Sequence, residues 1–323
     1  MTKAEQGMMQ AATIDRFGGP ELITLRNVSV PEIGPKDVLI RVEVAGVGSW
    51  DATEREGHYD GIFGMPSTFP YVLGWDCAGV VASVGGQVSR FKEGDRVYAA
   101  SMPLPKGGTY ANFAVTDADN VALIPAKLTI EQAGAMGWDA LTALSGLEEI
   151  SLESGDTIMI FGASGGIGHM AIQLAKRMGA RVLAVASGDH GVDLSSRLGA
   201  EAVVDGRKDD VSAAAREFAH GGLDAALVTV GGEATDHALS LVRDGGRVAC
   251  PHGVMPDPNV RSGVELIRYN GARGKDATDK LNRLIDSGPF DVHVARTFPF
   301  DQVVEAHRAL AAHYVGKLAL RVN

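Results

Sequence analysis

Residues 157–176, TIMIFGASGGIGHMAIQLAK, place an apolar run, a cluster of four glycines and an amphipathic run in direct succession. Residues 157–161 suit a fully buried parallel strand. Gly162, Gly165, Gly166 and Gly168 then let the backbone turn sharply and approach an anion with no side chain in the way. Ile167, Met170, Ala171, Leu174 and Ala175 recur at helical spacing, so the helix that follows docks on a sheet and turns its first, unpaired N–H groups toward a ligand. The pattern predicts a dinucleotide site in which Gly162, Ala163, Ser164, Gly165, Gly166, Ile167 and Gly168 meet the pyrophosphate.

The end of the next strand bears on which dinucleotide binds. NAD-specific sites place Asp or Glu there to accept hydrogen bonds from both ribose hydroxyls, and that carboxylate repels a 2′-phosphate. Here the segment reads Val185-Ala186-Ser187-Gly188, with no acid and with Ser187 able to donate, so NADPH fits better and NADH is the alternative. Gly231 and His252 follow two later strands, at the carboxyl ends where such sheets present ligands, and join the expected cofactor contacts. His252, as an imidazole, also suits a proton donor, although a solvated loop histidine explains it as well.

These residues need a scaffold, and the surrounding pattern supplies one. Strand-like runs at 181–186, 202–205, 223–230 and 247–249 alternate with helical runs, which predicts a doubly wound parallel sheet. Before about residue 126 the chain instead carries short β-rich runs such as VLIRVEVAGV and YVLGWDCAGVVASVG between Gly, Pro and Asp turns, the signature of a compact, partly barrel-like β domain. After about residue 289 a strand, a helix and a last strand, KLALRV, are expected to rejoin it. The predicted division is 1–126 with 290–323 as one domain and 127–289 as the other, with a cleft between them.

The chain has 323 residues, 45% hydrophobic and 22% charged, enough for a large core and two domains. A net charge of -10 without Lys/Arg clusters argues against nucleic acid or an anionic membrane as partner. No apolar run is long enough to span a bilayer, and the first residues lack the regions of a signal peptide, so a cytoplasmic protein with a loosely held first eight residues is expected. Cys77 and Cys250 are the only cysteines and lie far apart, which excludes cysteine-based metal and disulfide frameworks.

Across residues 9–322 the order of motifs resembles the medium-chain dehydrogenase/reductase superfamily, in its zinc-free quinone oxidoreductase branch. The motifs are Ile14-Asp-Arg-Phe-Gly-Gly-Pro20, Leu73-Gly-Trp-Asp-Cys-Ala-Gly-Val-Val81, Phe91-Lys-Glu-Gly-Asp-Arg-Val97, Gly162-Ala-Ser-Gly-Gly-Ile-Gly168 and Gly316-Lys-Leu-Ala-Leu320. The resemblance implies an α/β fold with a GroES-like β-rich catalytic domain and a Rossmann cofactor domain. In zinc-dependent members the metal is held by residues in the segments that here contain Gly48 and Trp75, neither of which coordinates zinc, so no metal site is expected. What the branch implies is hydride delivery to a small electron acceptor, a quinone or a conjugated enone, whose own conjugation spreads the arriving charge.

The resemblance also marks departures. Relatives usually carry Lys where this chain has Gly191, so a cation for the 2′-phosphate must come from His190, Arg207 or elsewhere. Gly48 and Thr53 replace an Asn and a Tyr that are common in zinc-free relatives. Asp51, read as an acid beside a tight turn, Tyr59, able to stack or donate a proton, and Thr142, matching a Thr near the nicotinamide in relatives, are the catalytic candidates, each with an ordinary packing role as the competing reading. Trp50 and Trp75 suit the walls of a site for flat substrates. Two functions stay open: an NADPH-dependent reductase of quinones or α,β-unsaturated carbonyls, and an NADPH-binding structural, regulatory or redox-sensing protein with little turnover. A homodimer built by edge pairing of the last cofactor-domain strands, here near residues 292–297, is what the resemblance implies.

Overall fold

The computed structural model describes residues 7–62, 64–101 and 106–323. The expectation of a loosely held start falls largely on residues 1–6, outside the described residues. From Met8 the chain is already in a strand.

The chain divides into two compact units. Unit 1 comprises residues 1–138, 273–279 and 292–323, and unit 2 comprises 139–272 and 280–291. In chain order the elements are β1 (Met8–Ile14), β2 (Thr24–Ser29), β3 (Asp37–Val47), α1 (Ser49–Arg55), β4 (Tyr71–Val72), β5 (Asp76–Val84), β6 (Arg96–Ala100), β7 (Phe113–Asp117), β8 (Val121–Leu123) and α2 (Ile130–Glu149). There follow β9 (Thr157–Phe161), α3 (Gly166–Arg177), β10 (Arg181–Ala186), α4 (Gly188–Arg197), β11 (Ala202–Asp205), α5 (Val211–Phe218), β12 (Leu223–Val228), α6 (Glu233–Leu239), β13 (Val242–Pro251), β14 (Glu265–Tyr269), α7 (Lys275–Asp286), β15 (Val294–Pro299), α8 (Val303–Ala309) and β16 (Lys317–Arg321).

Unit 2 holds a six-stranded, all-parallel sheet in the order β11-β10-β9-β12-β13-β14. Its central strand β9 is buried along its whole length, as an apolar run covered on both faces must be. Helix α3 docks with Met170, Ala171, Leu174 and Ala175 fully buried, the spacing read from the sequence. The strand order reverses between β9 and β12, and β9 ends there in a glycine-containing turn. That is the point where sheets of this topology bind ligands.

Unit 1 combines a three-stranded sheet, β2-β1-β4, with a larger one in the order β15-β16-β3-β5-β6-β8, to which β7 adds through β3. All its pairings are antiparallel except β15 with β16. A core of Ile14, Ile40, Val42, Leu73, Val97, Phe298 and Leu320 joins the early strands to the last segment of the chain. One expectation needs correction: residues 292–297, assigned to the edge of the cofactor sheet, contribute instead to β15 in unit 1, and the edge of the six-stranded sheet is β14. A short half-polar run pairs equally well in either sheet, and its sequence carries no sign of which.

Candidate functional site

In the turn between β9 and α3 the glycines have separable causes. Gly162 sits at φ +87, and a Cβ there would lie 2.2 Å from Thr229 Oγ1. Gly168 is buried in the helix, where a Cβ would come within 2.2 Å of the Gly162 carbonyl and 2.7 Å of Ala163 Cα. Gly165 is different. Its φ of -82 is open to any residue, and a Cβ would meet only the Gly162 oxygen at 3.4 Å, an ordinary contact. Nothing inside the protein demands glycine at that point, which leaves the space in front of the helix start clear for a ligand. His169, fully buried one turn into α3, donates from Nδ1 to the Gly165 carbonyl at 2.8 Å and fixes the orientation of that peptide. Ala163 and Ser164 are buried, whereas Gly166 and Ile167 are half-buried at the helix start.

Beside this turn, Ser164 Oγ accepts from the Ser187 N–H at 3.3 Å. The Ser187 hydroxyl is itself buried without a hydrogen-bond partner among the described residues. A side chain at Gly191 would begin 2.8 Å from Ser164 Cβ and Oγ, so the serine occupies the space through which the lysine usual in relatives would leave its backbone. A carboxylate that the strand-end reading did not foresee stands here too. Asp205, the register partner of Ala186, accepts from the N–H groups of Gly188 at 3.2 Å and Arg207 at 3.0 Å, and these bonds hold its carboxyl below the usual range. Lys208 Nζ lies 3.6 Å from Asp205 and 2.5 Å from Asp189, and Arg207 is exposed. Gly231 is accounted for by packing, since a Cβ there would lie 2.0 Å from the Pro256 carbonyl. His252 follows β13 and is exposed, its N–H bound to the Tyr269 carbonyl at 2.8 Å.

Unit 1 gathers a second cluster. Asp51 lies in the first turn of α1, not beside a β turn as expected, and its Oδ2 accepts from the Gly48 N–H at 2.7 Å. The buried face of this helix is Asp51, Glu54 and Arg55, charged residues where periodicity would ask for apolar ones, so hydrophobic patterning gave no sign of a helix. Glu54 accepts from the Tyr71 hydroxyl at 2.8 Å and the Gly74 N–H at 3.2 Å. Burial first, and then the charge of Asp51, push its carboxyl well above the ordinary range. Tyr59 is half-buried and pushed up to about 12 by burial and by the Glu54 and Asp51 charges, with Thr53 hydrogen-bonded to it. Its ring centroid lies 5.3 Å from that of Trp75, which meets Trp138 edge-on at 4.8 Å. The Trp138 N–H is anchored by Asp76 Oδ1 at 2.6 Å.

Of the catalytic candidates, Asp51 and Tyr59 thus share one electrostatic environment in unit 1. Thr142 belongs to unit 2, on α2. It is buried, its carbonyl accepts from the Tyr269 hydroxyl at 3.1 Å, and its Oγ1 lies 2.7 Å from where a Gly271 Cβ would stand. Sequence reasoning missed Glu54, Trp138 and Asp205. For Glu54 the i, i+3 spacing from Asp51 was the available signal. Trp50 is half-buried and packs near Gly48.

No group of three or more His, Cys, Asp or Glu able to hold a metal exists among the described residues. Gly48 and Trp75 lack donors for the metal of zinc-dependent members, and both cysteines are buried, Cys250 with its thiol pushed up to about 11 by burial. The residues present do not fit a zinc site. No helix among the described residues is long and apolar enough to cross a membrane.

Comparison with known proteins agrees with this arrangement. The alcohol dehydrogenase GroES-like domain matches residues 34–126, and the zinc-binding dehydrogenase family matches residues 166–270. A quinone oxidoreductase of Sus scrofa is 30% identical, with 94% of each chain covered. An NADPH-dependent alkenal/one oxidoreductase from the chloroplast of Arabidopsis thaliana is 31% identical over 97% of this chain and 79% of that protein. A mycobacterial protein solved in complex with NADPH superposes with a TM-score of 0.80 at 28% identity, covering 97% of this chain and 99% of the other. With a parallel sheet of this strand order, a glycine turn at its switch point and relatives matched along nearly its whole length, the chain belongs to the medium-chain dehydrogenase/reductase superfamily, in its quinone oxidoreductase branch.

Proposed function

We propose that this protein reduces quinones or α,β-unsaturated carbonyl compounds with NADPH and without a metal. The observation that carries the reading is the open approach to Gly165, a glycine for which the fold itself has no need. The 162–168 turn would hold the pyrophosphate, and Ser187, with its buried, unpartnered hydroxyl, would meet the 2′-phosphate with Arg207 and Lys208 nearby. NADPH supplies the hydride when bound. Asp205 tempers the preference over NADH, and the Lys208 charge offsets it.

The acceptor would lie against Trp75, Trp138 and Tyr59, whose rings favour flat molecules. Tyr59, holding its proton far above neutral pH, serves as donor to the reduced acceptor, and Asp51 orients the Gly48 peptide beside it. Thr142 supports the cofactor side from α2, with Gly231 and His252 at the strand ends. The protein acts as a cytoplasmic homodimer, with the β14 edge of the parallel sheet open for pairing.

Absorbance-monitored oxidation of NADPH by 1,4-benzoquinone, 9,10-phenanthrenequinone and a short enal tests this reading. Multiple turnovers with at least one of the three are expected. Tight NADPH binding with no oxidation by any of them would favour a binding or sensing protein instead.

A further inference from the structure

The Gly316-Lys317 pair belongs to a motif of the sequence, and the roles assigned so far do not use it. Gly316, at φ +74, has no room for a side chain, since a Cβ would lie 2.1 Å from the His293 carbonyl. Glycine there delivers the chain into β16, which begins with Lys317. That lysine is only 2% exposed, a burial that ammonium groups rarely adopt. The strand register shows where it stands. Leu318 pairs with Val47 and Ala45 with Cys77, so Lys317, Gly48 and Trp75 lie at the same end of three neighbouring strands, β16, β3 and β5.

Gly48 has φ -140 and ψ 175, a conformation open to every residue. The backbone does not require glycine, and a Cβ at position 48 would crowd the lysine, lying 3.2 Å from Lys317 Nζ, with Asp51 Oδ2 at 3.8 Å. The missing side chain is the space the ammonium uses.

We propose that Lys317 is a catalytic cation of the acceptor site, its Nζ lying in the space that Gly48 leaves and binding the acceptor oxygen on which negative charge gathers. This rests on the reading above that the acceptor lies at Trp75 and Tyr59. In that reduction NADPH, when bound, would supply a hydride with its electron pair, which forms one new bond to hydrogen on the acceptor, C–H on an enone or O–H on a quinone. The conjugated π pair moves to oxygen, and the oxyanion becomes O–H with a proton from Tyr59, which solvent restores. A fixed positive charge favours the oxyanion over the neutral acceptor, so it acts on the barrier more than on ground-state binding. Across the space at Gly48 from Lys317 stands Asp51, on α1, whose Oδ2 borders the same gap. Its carboxyl can supply the counter-charge that a buried ammonium needs, while Tyr59, holding its proton, adds none.

4-Nitrophenol reads the charge without turnover, because its phenol and phenolate absorb differently. Bound to the wild-type protein, it should ionise about one pH unit lower than when free, a tenfold shift toward phenolate. Lys317→Met should abolish the shift, Lys317→Arg should keep it, and Gly48→Ala, which strains no backbone, should reduce it by crowding the ammonium. NADPH affinity, followed by fluorescence titration, should be the same in all four proteins. A wild-type bound probe that ionises no more readily than the free one, or a shift that survives Lys317→Met, would overturn the role. Wild-type turnover of 1,4-benzoquinone, 9,10-phenanthrenequinone or the short enal without the phenolate shift would sink only the lysine, whereas absence of turnover with all three would sink the underlying reading.

Discussion

Gly165→Val separates anion binding from folding more cleanly than any other change in the turn between β9 and α3. At φ -82 and ψ -176 a β-branched residue is at ease, and the first side-chain atom would touch only the Gly162 oxygen at 3.4 Å. The cost to the fold is that of a poorer helix cap, about 0.5–1 kcal/mol, or a few degrees in Tm. The cost to a pyrophosphate is far larger. Valine methyls would stand in front of the first N–H groups of α3, and losing two charge-assisted contacts of about 1.5 kcal/mol each weakens binding roughly a hundredfold. Gly168→Ala should do the reverse: its Cβ would press on the Gly162 carbonyl at 2.2 Å, so the fold should lose about 1–3 kcal/mol, the usual cost of overpacking. Calorimetry and NADPH fluorescence titration on the two variants measure both axes. A folded Gly165→Val protein that binds NADPH as tightly as wild type would refute the argument that the open glycine marks the pyrophosphate.

Elemental analysis should find no stoichiometric zinc, and quinone reduction should survive 1,10-phenanthroline; one zinc per chain with loss of activity on chelation would contradict the donor inventory. Wild type should bind NADPH roughly ten- to a hundredfold more tightly than NADH, the span of one charge-assisted contact, and Ser187→Asp should reverse the order. Aspartate is a good helix cap at position 187, whereas Ala186 is buried opposite Asp205 and would suffer like-charge repulsion. Trp138→Ala should raise KM for 9,10-phenanthrenequinone about two- to tenfold while leaving that for a short enal nearly unchanged, since one ring contact is worth about 0.5–1.5 kcal/mol; equal effects on both would remove the stacking argument. Burial, and the Arg55 charge beside it, hold His307 down to about 3 in the folded state against 6.5 in the unfolded chain. The unfolded state therefore takes up the proton first as pH falls, and stability that is intact above about 6.5 is lost on the way to about 3, at up to about 1.4 kcal/mol per pH unit. His307→Gln should flatten that decline in urea midpoints between pH 7 and pH 5, and parallel curves for the two proteins would show that the histidine is not held neutral.

The parallel unit was legible because its cues are local. Residues 157–161, 181–186 and 202–205 are short apolar runs closed by glycine or a polar turn, and the structure returns them as β9, β10 and β11 with unchanged bounds. The helical face Met170, Ala171, Leu174 and Ala175 was equally plain. What local cues do not carry is long-range register. That Asp205 lies beside Ala186 depends on β11 pairing with β10, and that Lys317 lies beside Gly48 depends on β16 pairing with β3 across most of the chain. Helix α1 escaped for a different reason: its inward residues are Asp51, Glu54 and Arg55, whose burial is sustained by Tyr71, the Gly74 N–H and His307 from distant segments. The glycine turn at 162–168 therefore stands out in one dimension, whereas Asp205, Glu54 and Lys317 stand out only in three.

The charge inventory of unit 1 bears on which substrates this protein can take. A zinc ion would set two positive charges against a carbonyl oxygen and polarise even an isolated ketone. In its place the chain has Gly48 and Trp75, with the carboxyls of Asp51 and Glu54 and the ammonium of Lys317 buried nearby. One cation, partly offset by its neighbouring carboxylate, stabilises an oxyanion far less than a metal does. The remainder must come from the substrate itself, through conjugation that spreads the arriving pair over several atoms. Quinones and enones provide that delocalisation and simple ketones do not, so the same residues that leave no place for a metal also confine the chemistry to conjugated acceptors.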